Sequence, residues 1–229
     1  AQAEWTDERH ISVHPVAYRP TVYYIENDWS AASYWYEMMA LTSDKDAEII
    51  LKGLFADSPQ GDAGVCTLFE QLGVHTDFFH HEDGTPCIRL TKQPARITYM
   101  KQNFVDCPDL AQTFVVTCAM LGIPFHFTGL QSLKIKETDR IAALICELNK
   151  LGYSLHEANA SELYWDGKKT PPQPQPSIDT YEDHRMAMAF APCCLIIPEI
   201  RINNPQVVSK SYPRYWEHLK DAGFEIITL

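Results

Sequence analysis

Positive charge is scarce in this chain: 19 Lys and Arg stand against 30 Asp and Glu, a formal net charge of -11 at pH 7. So acidic a chain is a poor partner for nucleic acid or an anionic membrane surface. A small anionic substrate stays compatible, because a local cluster of Arg and Lys decides that. Long apolar runs are missing too; none approaches a membrane span, and no signal-peptide pattern is visible. The seven cysteines include no C-x-x-C pair and sit mostly in apolar contexts, as at Cys118 and Cys146. Cys193 and Cys194 share an apolar run and read as small buried hydrophobes. Reduced cysteines suit a cytoplasmic protein. The nine histidines suggest no metal site, and His80-His81 reads as solvated. Low complexity is confined to Asp166–Ser177 (DGKKTPPQPQPS), whose prolines argue for a hairpin tip or exposed loop, inserted within the fold.

What is present is a chain of 229 residues, 45% hydrophobic, long enough for one large domain or two small ones. It contains an internal repeat. Three helix endings read alike: Leu68–Gly73, Leu144–Gly152 and Tyr215–Gly223. Each precedes a β-like run, at Val74–Phe79, Tyr153–His156 and Phe224–Leu229. A second helix type, rich in Ala, Met and aromatic residues, starts near Asp28, near Asp109 and at Asp183. Between the two helices of each unit lies an apolar β-like run: Ala47–Leu51, Phe125–Thr128 and Ile196–Ile202. The period of roughly 75 residues exceeds the common solenoid repeats and fits a compact β-α-β-α-β-β unit. The expected fold is α/β (α+β), a pseudo-threefold domain of three such units, at about 21–90, 91–165 and 178–229. The more apolar helices are expected inside, the amphipathic ones outside. Residues 1–20 read as the tail of a preceding unit, with one strand over His10–Val16. The start at Ala1-Gln2-Ala3, without Met, suggests processing or an expressed fragment.

The chemistry concentrates in two stretches. In Lys136-Glu137-Thr138-Asp139-Arg140, charged residues precede a helical run through Ile141, Leu144, Ile145, Leu148 and Leu151, stopped by Gly152. In Asp183-His184-Arg185-Met186-Ala187-Met188, an arginine stands at the entrance of an almost wholly apolar helix. Helix N-termini carry unpaired N–H groups and partial positive charge. Two such termini, each with an arginine, suggest a phosphate or carboxylate site.

Together these stretches resemble the 5-enolpyruvylshikimate-3-phosphate synthase family. Weaker similarities follow in the family's order: Asn27–Tyr34, Gln60-Gly61-Asp62, Asp106–Ala111 and Ser209–Pro213. The resemblance spans nearly the whole chain but only the C-terminal half of the family's sequence. It implies one half of the two-domain enolpyruvyl transferase fold, an inside-out α/β barrel, with helix N-termini pointing into a cleft between the halves. It also implies transfer of the enolpyruvyl group of phosphoenolpyruvate to the 5-hydroxyl of shikimate 3-phosphate, in the chorismate and aromatic amino acid pathway. No metal or organic cofactor is implied, and the full-length protein is expected to be a monomer.

Carried over by motif, Arg140, Arg185 and Lys210 bind phosphoenolpyruvate, and Lys136 and Ser132 contact shikimate 3-phosphate. Glu137 handles the proton at the methylene carbon. Asp109 contacts the 5-hydroxyl and acts as its base. Asp139 and Asp183 read as caps, and His184 as a flanking residue. Ser132 stands where many relatives carry Asn, and Asn27-Asp28-Trp29 replaces a Gly-Asp-small pattern. The N-terminal half, which would supply further substrate contacts, is expected to be the chain's missing partner. Two alternatives are a non-catalytic anion-binding domain of this fold and the enolpyruvyl transferase acting on UDP-N-acetylglucosamine. A pure anion binder has no need of two carboxylates beside its ligand.

Overall fold

A computed structural model describes residues 2–228 of the chain. It opens on a two-stranded antiparallel hairpin, β1 (Ala3–Trp5) and β2 (Ile11–Val13), with both strands largely exposed. Residues 14–28 then run without regular structure. The first unit follows as α1 (Trp29–Leu41), β3 (Glu48–Lys52), α2 (Val65–Gln71), β4 (Val74–His80) and β5 (Pro86–Lys92). Its sheet is antiparallel throughout, in the order β3-β5-β4. The expected leading strand of this unit is not formed.

The second unit has all six elements: β6 (Met100–Asn103), α3 (Ala111–Leu121), β7 (Phe125–Thr128), α4 (Arg140–Lys150), β8 (His156–Ala158) and β9 (Glu162–Trp165). Its sheet runs β6-β7-β9-β8, with β6 parallel to β7 and the other pairs antiparallel. Strand β8 starts later than the run at Tyr153 suggests, and Tyr153 instead bridges Lys169. The third unit is β10 (Ser177–Ile178), α5 (His184–Phe190), β11 (Arg201–Ile202) and α6 (Tyr215–Asp221), with β10 parallel to β11.

Two expected strands of this last unit fall short. Of the run Ile196–Ile202 only Arg201–Ile202 pairs, because Pro198 interrupts it without an N–H to donate. Residues 224–227 alternate half-buried and exposed, as a strand does, but residues 224–228 are not assigned to any strand; Leu229 lies outside the described residues. The proline-rich stretch 166–176 is largely exposed and without regular structure.

Burial sorts the helices as their composition suggests. Every residue of α1 except Ala31 is buried, every residue of α3 except Leu121, and all of α5. These helices pack together in one core with Phe125, Phe127 and Trp165 from the second sheet and with Phe104, just past β6. Helix α4 buries one stripe, Arg140, Ile141, Ala143, Leu144, Glu147 and Leu148, at the spacing of an amphipathic helix. Cys118 and Cys193 are buried, but Cys146 is exposed on the outer side of α4, contrary to its apolar surroundings in sequence.

The repeated glycine stops have a backbone reason. Gly73 and Gly152 adopt φ of 88° and 90°. A Cβ would meet the Gln93 carbonyl oxygen at 2.2 Å in the first case and the Thr170 carbonyl oxygen at 2.4 Å in the second. Both positions therefore demand glycine twice over, for conformation and for space.

Candidate functional site

Three inner helices and one outer helix begin beside each other. Helix α1 is capped by Asp28, which accepts from the Ser30 N–H at 2.8 Å. Helix α5 is capped by Asp183, which accepts from the Arg185 N–H at 2.9 Å. Helix α4 is capped by Asp139, which accepts from the Ala142 N–H at 3.1 Å. Short polar side chains at these positions satisfy the free N–H groups of a first turn. Asp109 differs: it lies in a 3-10 turn, Pro108–Leu110, leading into α3, and makes no capping bond. Its carboxylate is free for other work.

That work is visible in the ion pairs. Arg140, the first residue of α4, is almost completely buried and has three carboxylate partners. Its Nε donates to Asp183 Oδ2 at 2.6 Å, Nη1 to Asp109 Oδ1 at 3.2 Å and Nη2 to Glu137 Oε2 at 2.7 Å. Arg185 donates to the other Asp109 oxygen at 2.9 Å and to the Tyr34 hydroxyl at 3.4 Å. Lys136 stands 3.4 Å from Asp109, and Lys210 closes the chain of contacts on Glu137. Lys136, Arg140, Arg185 and Lys210 thus meet Asp109, Glu137 and Asp183 in one continuous network, drawn from all of the second and third units' helix starts.

Of the residues singled out in the sequence, Asp109, Lys136, Glu137, Arg140, Arg185 and Lys210 are brought together. Ser132, half-buried in the turn Gln131–Ile135, makes no hydrogen bond to the network. Glu137 precedes α4 and is not on its first turn, yet still reaches Arg140. Tyr34 is a neighbour that sequence reasoning left without a role, and Asp183 one that it read only as a cap. Asp183 does cap α5, but its buried carboxylate is also the grip on Arg140, 43 residues away. No local signal carries that pairing. Tyr34 falls inside the Asn27–Tyr34 similarity, which was its only pointer.

The charges reshape one another. Burial works against the Asp109 carboxylate, but Arg185, Lys136 and Arg140 outweigh it and hold its pKa below the usual value. Burial likewise opposes Glu137, yet the Lys210 hydrogen bond and Arg140 bring it down to about 2. Glu137 is therefore ionised in the free protein. Asp62, in the turn Gly61–Gly64 before α2, goes the other way: burial, then repulsion from Asp109, raises it to about 6. Burial pushes the Tyr34 phenol up to about 12 against the pull of Arg185. Burial and then Arg185 lower the pKa of His184, so its ring is neutral, and its Nδ1 has no hydrogen-bond partner.

Elsewhere, His10 and His14 have the four-residue spacing that would align them on a helix, but they flank β2. His10 pairs with Asp7 and His14 with Glu4. Among the described residues no cluster of His, Cys, Asp and Glu is arranged to hold a metal ion. No helix among them is long and apolar enough to cross a membrane.

Buried helices that converge on buried arginines, with carboxylates interleaved, define an α/β domain with a dense charge network at its helix starts. Comparison with known proteins sharpens that class. Residues 2–219 match the family described as EPSP synthase (3-phosphoshikimate 1-carboxyvinyltransferase). A 3-phosphoshikimate 1-carboxyvinyltransferase of Bacteroides fragilis is 55% identical over 226 residues, which is 99% of this chain and 53% of that protein. One from Methanosphaerula palustris is 32% identical over 93% of this chain and 48% of its own length. The solved EPSP synthase of Acinetobacter baumannii superposes with a TM-score of 0.66 at 18% identity, over 87% of this chain and 46% of that one. This last likeness establishes the fold: one half of the enolpyruvyl transferase architecture. The chain belongs to the EPSP synthase family, and it spans about half the length of the curated relatives it matches.

Proposed function

We propose that this chain supplies one face of a site that transfers the enolpyruvyl group of phosphoenolpyruvate to the 5-hydroxyl of shikimate 3-phosphate, releasing phosphate. The observation that carries the reading is Arg140, whose one guanidinium touches both Asp109 and Glu137. A cation for the substrate anions, a base and an acid are therefore within reach of one another.

In the addition step the 5-oxygen bonds to C2 of phosphoenolpyruvate, Asp109 takes the hydroxyl proton, and Glu137 gives a proton to the methylene carbon. In the elimination step that carbon returns a proton to Glu137, the C2–O bond to phosphate breaks, and phosphate leaves with the proton stored on Asp109. Arg140, Arg185 and Lys210 hold the carboxylate and phosphate of phosphoenolpyruvate, the two arginines with a planar fork. Lys136 and Ser132 face shikimate 3-phosphate. Glu137 must be protonated to act as an acid. An incoming anion that draws Lys210 and Arg140 away from it raises its pKa toward that state. The seven reduced cysteines support a cytoplasmic setting.

The test joins this chain to an upstream half from a relative and measures phosphate release with both substrates. Arg140→Ala and Asp109→Asn are expected to lower kcat about a hundredfold or more. The 229-residue chain alone is expected to show no turnover, since one face cannot enclose two anions. Unchanged kcat in both variants would remove the assigned roles. Phosphate binding without turnover in the joined protein would favour a non-catalytic anion-binding domain.

A further inference from the structure

The four residues before α5 are wound unusually. Tyr181 and Glu182 both adopt left-handed backbone conformations, with φ of 53° and 56°. Neither is glycine, asparagine or aspartate, the residues that take that region readily. Two such residues in succession persist only where the surroundings enforce them. The next residue is Asp183, followed shortly by Arg185.

What enforces the turn is on α4. Glu147 lies two turns beyond Arg140 on the same buried stripe, and its carboxylate is fully buried. Oε1 accepts from the Tyr181 hydroxyl at 2.6 Å, and Oε2 accepts from the Asp179 N–H at 3.1 Å. Lys150 neutralises Glu147 at 2.7 Å and reaches Asp179 at 2.8 Å and the Ser177 carbonyl at 3.0 Å. Asn203 holds Asp179 from the other side at 2.7 Å. One helix thus grips the approach to α5 at two levels, Glu147 on Asp179 and Tyr181, Arg140 on Asp183.

We propose that Glu147 and Tyr181 are positioning residues: their hydrogen bond holds the left-handed turn that sets Asp183 and aims Arg185 at Asp109. Neither touches the anion site. Both act through the register of the first turn of α5. The inference rests on the reading of that face as an anion site only for its consequence in binding; the geometry of the latch stands apart from it.

The test uses Tyr181→Phe, which removes one hydroxyl from a partly exposed ring, in the 229-residue chain. Three readouts are taken: the backbone and guanidinium NMR signals of Arg185, the dissociation constant of inorganic phosphate, and the thermal midpoint. The expected result is displaced Arg185 signals, phosphate binding weakened roughly three- to tenfold, and little change in midpoint. Adding Glu182→Asn, which tolerates the left-handed conformation, should restore both the signals and the binding. Glu147→Gln should reproduce the Tyr181→Phe shifts if it folds. Arg185 signals and phosphate affinity unchanged in Tyr181→Phe would overturn the proposal. A wild type that binds no phosphate would instead count against the anion-site reading, and the Arg185 signals would still decide the latch.

Discussion

Two carboxylates, Asp183 and Glu37, are both completely removed from solvent in the layer of inner helices, and they have opposite fates. Asp183 has a guanidinium at 2.6 Å and a helix N–H at 2.9 Å. Glu37, midway along α1, has neither: both its oxygens lack a hydrogen-bond partner. The nearby Thr117 hydroxyl is committed to the Thr113 carbonyl at 2.8 Å. Burial therefore drives the Glu37 pKa well above its ordinary value, and the group is carried neutral in the core. Burial alone decides neither charge nor stability; the partners do.

The sharpest way to break this comparison is to remove the paired acid. Asp183→Ala leaves the buried Nε of Arg140 unpaired, with Asp109 and Glu137 still on its other nitrogens, and uncaps α5; it should cost about 3–5 kcal/mol in urea unfolding. Glu37→Leu should do the reverse and stabilise the fold by about 1–3 kcal/mol near neutral pH. Its pH dependence has a fixed sign. Glu37 has a raised pKa in the folded state, so the wild type is least penalised below the ordinary value of 4.5 and loses stability as pH rises above it. The advantage of Glu37→Leu should widen upward from 4.5 and narrow below it; a constant advantage would mean that Glu37 does not titrate on unfolding.

Smaller effects are expected where carboxylates meet water. Asp139→Ala removes the cap of α4 and a partly exposed pair with Lys134 at 3.2 Å, and should cost about 1 kcal/mol by the same unfolding assay. Lys168→Ala, which breaks an exposed pair with Asp166 at 2.6 Å, should leave the unfolding midpoint where it was. A large loss there would contradict the view that desolvation sets the weight of a pair.

The same contrast explains what could be read from the sequence. Local signals were legible: acids before helices α1, α4 and α5, glycines after α2 and α4, and apolar composition all round the helices that prove innermost. Each is written within one turn of chain. The grip of Asp183 on Arg140 and of Glu147 on Tyr181 joins residues 43 and 34 positions apart, and only the packed helices bring them together. The leading strand expected in the first unit also eluded local reading. Thr21–Ile25 has the β-branched and aromatic character of a strand, but strands need a neighbour, and in this structure the segment lies exposed.

The network of interleaved charges has a consequence for how ligands arrive. With Lys136, Arg140, Arg185 and Lys210 all paired with the protein's own carboxylates, this face resembles a loaded ion exchanger. On the proposed function, an arriving anion does not fall onto bare cations; it displaces an internal competitor and inherits its contacts. Much of the attraction is thus spent in evicting Asp109 and Glu137 from their partners. What the exchange would yield in return, under that function, is two carboxylates released side by side with the ligand at the moment when proton transfer calls for them.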